Sequence, residues 1–223
     1  MTVFTLWFAD MSTVVAAILG LAWGFASDRI SARWPAHDDG SIRAMDWRTV
    51  LVVMTGGAAF AATEARFGDN LAALVVIGAY VVALVLLFAT DLDQRLLPDV
   101  ITLPLILLAV AAFVTGSGPF VHHVDELGWA IGASILIPLG LFILAIPFGA
   151  GAIGQGDLKL LVSVGILTGA LNLLYALVSG ALLAGLVVAG LVLTRRITLK
   201  SFVPYGPFLI AGTLWVILGL SQA

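Results

Sequence analysis

No cysteine occurs among the 223 residues of the chain. That removes disulfides, thiolate zinc sites, iron–sulfur clusters and cysteine nucleophiles, and it leaves the redox compartment without a marker. Charge is almost as scarce. Ten Lys and Arg and thirteen Asp and Glu make up only 10% of the chain, with a formal net charge of −3. A soluble domain is about 25% charged and about 45–50% apolar; here 61% of residues are hydrophobic and mean hydropathy is +1.15. Soluble enzyme, nucleic-acid binder and disordered scaffold are excluded at this step. The first residues, Met1 to Phe8, lack a basic n-region, so the first apolar stretch reads as a retained span and not as a cleaved signal peptide.

What the chain does have is long apolar runs. They lie at about Phe4–Phe25, Val50–Ala62, Leu71–Ala89, Val100–Thr115, Leu127–Phe148, Leu160–Leu174, Tyr175–Thr194 and Phe202–Leu220. A hydrocarbon core of about 30 Å takes roughly 20 apolar residues per helix. The expectation is therefore an all-α polytopic membrane protein of about eight spans, or six to seven if the short second and sixth runs do not cross. The runs show no polar alternation, which favours helices over barrel strands. Residues 1–223 read as one integral-membrane unit, with 27–49 as a short connection between the first two spans.

The basic residues test that count. With the N-terminus outside, Arg29, Arg33, Arg43 and Arg48 fall in the first cytoplasmic connection and Arg95 in the second. Lys159 falls in the third, and Arg195, Arg196 and Lys200 fall in the fourth. Only Arg66 is left outside. This is the positive-inside pattern, and a miscounted span would destroy it. Small residues at helical spacing, such as Gly20 with Gly24 and Ala181 with Gly185 and Ala189, read as packing surfaces.

Ionisable groups at the ends of spans are functional candidates by default. Asp91 stands in Thr90-Asp91-Leu92-Asp93 at the exit of the third span, and Asp157 in Gly154-Gln155-Gly156-Asp157 after the fifth. Two spans lie between them, so both return to one membrane face. Two carboxyl groups that meet away from bulk water cannot both ionise easily; such a pair can act as general base and general acid on a shared water. Gly154 and Gly156 would permit positive φ and close approach of a substrate. Plainer readings stand beside these. Asp99 after Pro98 suits helix capping, Asp93 and Arg95 suit solvated loop charges, and Lys159 suits a positive-inside anchor.

Two decoys can be set aside. Gly149-Ala150-Gly151-Ala152-Ile153-Gly154 matches a dinucleotide fingerprint but follows a long apolar run, with no strand–helix–strand unit around it. His122 and His123 are adjacent and lack partners at metal-ligand spacing, so no metal site is expected.

Asp91 with Leu96-Leu97-Pro98-Asp99 and Ile101-Thr102-Leu103-Pro104-Leu105, followed by Gly154-Gln155-Gly156-Asp157-Leu158-Lys159-Leu160, resembles the type IV prepilin peptidases. These are membrane aspartic proteases of the GxGD kind. Val203-Pro204-Tyr205-Gly206-Pro207-Phe208 looks like the start of that family's last helix. Gly24 through Arg33-Trp34-Pro35 looks like its N-terminal motif, with Asp28 where Asn is usual. The resemblance implies an endopeptidase that cuts basic leaders from prepilins or pseudopilins at the cytoplasmic face of a bacterial inner membrane. Asp91 and Asp157 would be catalytic, and Gly154, Gly156, Lys159, Asp93 and Asp99 would bind substrate or support the site. Asp93, Asp99, Asp38 and Asp39 fall on the same face, and some of them would attract the basic leader.

Many family members also carry a cysteine-ligated zinc domain after the first span and methylate the new N-terminus with S-adenosylmethionine. This chain has about 20 residues there and no cysteine. The zinc site is therefore absent, and methyl transfer stays open. Proteolysis itself calls for no cofactor. The implied partners are a pilin-like substrate and the lipid bilayer, with no nucleic acid; the oligomeric state stays open. The competing reading is a small secondary transporter whose acids relay protons or bind a cation. It would be expected to place its acids at the midplane and to show a two-halves repeat.

Overall fold

In a computed structural model, residues 3–36, 40–148, 154–196 and 205–219 are described, with side chains from Met11 onward. They form eight α-helices and no strand: α1 (Val3–Ser31), α2 (Trp47–Phe67), α3 (Leu71–Gln94), α4 (Asp99–Val114), α5 (Val124–Ala145), α6 (Gln155–Thr168), α7 (Ala170–Leu193) and α8 (Gly206–Gly219). A single 3-10 turn, Ile146–Phe148, follows α5. Five of the helices are long and apolar enough to cross a membrane, while α4 and α8 are shorter apolar helices. The chain is an all-α polytopic membrane protein.

Helix boundaries differ from the apolar runs in two instructive places. The second run looked too short to span, yet α2 reaches 21 residues because Asp46 caps its start, accepting from the Arg48 N–H at 2.9 Å, and Thr49 closes a capping box. The division expected near Leu174 falls instead at Gly169. That residue sits at φ +88°, a conformation costly for residues with a Cβ, and α7 starts immediately after it. Apolarity alone could not see this break, because the residues on both sides are equally hydrophobic.

Helix α3 is the central post. Tyr80, Val81, Leu84, Val85 and Leu87 are fully buried along it. Around it the bundle closes with α1, α2, α4 and α8. On the other side α6 is buried between α4, α5 and α7, with Leu160, Leu161, Val164 and Leu167 inside. By contrast α5 and α7 expose Leu136, Leu144, Leu182 and Leu186, the surface a bilayer would cover. Helices α1 and α2 pack backbone to backbone. A Cβ on Gly24 would lie 2.7 Å from the Val52 carbonyl, so the small-residue pattern there is a packing surface, as its spacing indicates.

No Cα of α3 comes within 8 Å of a Cα of α6 among the described residues. The two helices are nevertheless joined in the core by a 2.5 Å hydrogen bond between the Tyr80 and Ser163 hydroxyls, both fully buried. Tyr80→Phe should cost about 0.6–1.7 kcal/mol, the range for interhelical hydrogen bonds in membrane proteins. Unfolding in mixed detergent would measure it, and a Tyr80→Phe/Ser163→Ala cycle should recover most of that amount as coupling.

Candidate active site

Asp91 lies in the last turn of α3, where its side chain should meet water, yet it is only 5% exposed. The helix ends because Arg95 adopts the left-handed conformation (φ 56°, ψ 41°) and its N–H caps the Asp91 carbonyl at 2.9 Å. Residues 95–98 then turn the chain into α4, and Leu97 is buried in that turn. Asp157 lies in the first turn of α6, three positions after the Gly154 N-cap, and is 9% exposed. Its carboxylate accepts the Gly154 N–H, an arrangement that satisfies one of the helix's orphan donors and places the acid at the positive end of the helix dipole.

Both acids open onto one cavity of about 310 Å³, also lined by Arg95, Leu97, Asp99 and the 154–156 backbone. The two side chains that are 66 positions apart are thereby brought together. Asp91 Oδ2 and Asp157 Oδ1 are buried and have no hydrogen-bond partner among the described residues. A buried carboxylate oxygen without a donor is expensive. The pair thus sets two carboxyl groups on one cavity, each with one oxygen left without a donor.

Two glycines make this convergence sterically possible. A Cβ on Gly156 would lie 2.5 Å from Leu97 Cβ and 2.9 Å from its carbonyl oxygen, so α6 can approach the 95–98 turn only without a side chain there. The expectation of positive φ at Gly154 and Gly156 is not met: Gly154 has φ −67°, and neither is among the left-handed glycines. Their use is proximity. The second glycine, Gly206, was missed as a site residue. Its Cβ would stand 2.5 Å from Asp91 Oδ2, which makes the start of α8 a third wall of the site. Tyr205 beside it donates to the Leu177 carbonyl at 3.3 Å, tying that start to α7, and lies within electrostatic reach of Asp157. The prolines flanking Gly206 were the available signal, since they mark a fixed helix entry.

The remaining acids take different places. Asp99 is the first residue of α4 and makes no capping bond; Pro98 holds the N-cap position, and Asp99 instead pairs with Lys159 at 2.6 Å across the rim. Lys159 is thus a bridge from α6 to α4. Asp93 is no solvated charge: its side chain is 2% exposed and pairs with Arg43 at 2.7 Å and Arg48 at 3.3 Å. A buried, paired acid is poorly placed to attract a basic leader. Asp38 and Asp39 lie outside the described residues. Among the described residues no group of three His, Asp or Glu side chains could hold a metal ion, and His123 is the N-cap of α5.

A bundle of apolar helices that brings two aspartates to one cavity defines a polytopic membrane protein with an acidic site. A family model described as the type IV leader peptidase family matches residues 78–190, which contain both aspartates. The prepilin leader peptidase/N-methyltransferases of two Burkholderia pseudomallei strains are each 34% identical over 165 residues, covering 74% of this chain and 52% of theirs. The chain spans about half the length of these curated relatives. No solved structure matches. The chain belongs to the type IV leader peptidase family.

Gly206→Ala should force α8 away from Asp91 and lower stability by about 1–3 kcal/mol, the usual cost of overpacking. Gly128→Ala, inside α5 with a Cβ that would meet nothing within 4 Å, is the control and should not lower the thermal midpoint in detergent.

Proposed function

We propose that the chain is an aspartic endopeptidase that removes basic leader peptides from type IV prepilins or pseudopilins. The observation that carries this reading is that Asp91 and Asp157, each buried and each with one unpartnered carboxylate oxygen, line the same cavity. One carboxylate takes a proton from a water as that water attacks the scissile carbonyl. The other, protonated, donates to the carbonyl oxygen as charge develops on it. The proton then passes to the leaving amine. This chemistry draws on water and two carboxyl groups and calls for no cofactor.

The site faces the cytoplasm of a bacterial inner membrane in this reading. Arg29, Arg43, Arg48, Arg95 and Lys159 gather at the site's end of the bundle, while Arg66 closes α2 at the other, and the positive-inside rule assigns the first end to the cytoplasm. Asp99, 60% exposed at the cavity rim, is the described acid best placed to meet a basic leader. Family membership supports the reading, because the curated relatives are named as prepilin leader peptidases. The transporter reading has less behind it: the acids stand at the ends of α3 and α6, away from mid-helix.

The test is co-expression with a pilin precursor bearing a basic leader. Wild type should release the leader, and Asp91→Asn and Asp157→Asn should each leave the precursor uncut while still inserting in the membrane. The expected loss is at least about 10³-fold, because removing one member of a pair that acts as a unit removes most of its catalysis. Full cleavage by either variant would overturn the assignment. Mass spectrometry of the mature N-terminus in the same experiment reads out any added methyl group.

A further inference from the structure

The connection between α1 and α2, residues 32–46, is built around charge. Asp28, in the last turn of α1, is fully buried. Its carboxylate accepts from Arg29 and Arg43, and from the Thr49 hydroxyl at 2.9 Å. Arg43 carries the connection's load. Its guanidinium meets Asp28 on α1, Asp46 at the start of α2 (2.8 Å) and Asp93 on α3 (2.7 Å). One planar cation thus ties three helices, through hydrogen bonds to Asp28 and Asp46 and an ion pair of Nε with Asp93, a task that suits the spread guanidinium of arginine and not the single ammonium of lysine. Arg29 and Arg48 complete the balance of three positive charges against three negative.

This network ends two residues from Asp91. Successive helix residues are about 100° apart, so Asp93 points about 200° away from Asp91 around α3. The network therefore holds the back of the turn whose front carries Asp91. A second grip is made by Gln94, whose amide donates to the Ser31 carbonyl at 3.1 Å and to the Pro35 carbonyl at 2.7 Å. Gln94 thereby caps the end of α1 with the end of α3. The last turn of α3 is fixed in rotation by Asp93 and in height by Gln94.

We infer that Arg43 and Gln94 are positioning residues for Asp91, and that the short α1–α2 connection holds the end of α3 in register with α6 through them. The inference rests on the peptidase reading of Asp91 and Asp157. It assigns catalytic consequence to a segment whose described residues are not among those that line the cavity. The register matters because α3 and α6 have no backbone contact of their own to set it.

The absence of cysteine gives a clean test. Spin labels on Leu96→Cys and Gln155→Cys, both exposed residues that line the cavity, report the separation of α3's end from α6's start by pulsed electron resonance on the full chain. The parent should give one narrow distance distribution. Arg43→Lys, which keeps the charge but loses the fork, and Gln94→Ala, which alters no charge, should broaden or shift it on the order of 2 Å, and kcat should fall about tenfold to a hundredfold with KM little changed. Distances unchanged from the parent in both variants overturn the inference whatever the chain cleaves. So does a changed distance with unchanged kcat. With kcat and KM read on the unlabelled, cysteine-free chain and its two variants, failure of that chain to cut a basic-leader precursor sinks the peptidase reading alone, since the distances still report whether the clamp sets the register.

Discussion

The structure depends on keeping two carboxylates together at the ends of helices whose backbones do not pack against each other. Asp91 and Asp157 are carried by α3 and α6, whose Cα traces stay more than 8 Å apart throughout the described residues. Direct helix packing, the ordinary way a bundle fixes its side chains, is therefore unavailable to the pair. Three separate links do the work. The 95–98 turn presses Leu97 against Gly156, the start of α8 presses Gly206 against Asp91, and the Tyr80–Ser163 hydrogen bond spans the gap deeper in the core. Each contact is short-range and intolerant of an added methyl group, which is why glycine stands at both of the first two.

Burial gives these contacts their importance. An acid at 5–9% exposure has lost most of its water, and a carboxylate oxygen left without a donor there carries a cost the fold must absorb elsewhere. The Gly154 N–H and the positive end of α6 offset part of it at Asp157. The α1–α2 connection treats its acids in the opposite way. Asp28 and Asp93 are as deeply buried as the pair, but each stands in ion pairs with two arginines, and breaking such a buried ion pair typically costs about 3–5 kcal/mol. The same residue type thus appears twice at one end of the bundle: in ion pairs with arginine where it holds the structure, and outside every ion pair among the described residues where it lines the cavity.

Much of this was legible in the residues. Apolar length located the helices, and the ten basic residues, placed against those helices, located Asp91 and Asp157 on one side. What the sequence could not show was any contact made by the absence of a side chain. Gly206 is one glycine among 24; Pro204 and Pro207 mark a helix entry beside it, but nothing local says that Asp91 will lie against it. Asp93 was misread for a related reason. Two residues beyond Asp91 at a helix end, it looks solvated until Arg43, 50 positions earlier, folds over it at 2.7 Å. The Gly169 break was hidden because hydropathy does not change across it. Local pattern reports which face of an element is apolar; it does not report which distant backbone will lie against it.

The length of α6 explains how a buried acid can remain reachable. Fourteen residues at 1.5 Å per residue make about 21 Å, short of the roughly 30 Å of hydrocarbon that a free-standing span must cross. A helix of that length is viable in a bundle only when neighbours sheathe it, and α5 and α7, with 22 and 24 residues, extend past it and carry the exposed apolar surface. Because α7 starts directly after Gly169, α6 and α7 share one end, and the deficit falls at the other, where Asp157 occupies the first turn. The acid is thereby recessed below the ends of its sheathing helices. A full-length α6 would carry Asp157 out among solvated loops and dissolve the cavity it shares with Asp91. The shortness that made this run look like a doubtful span is therefore what sets the depth of the site.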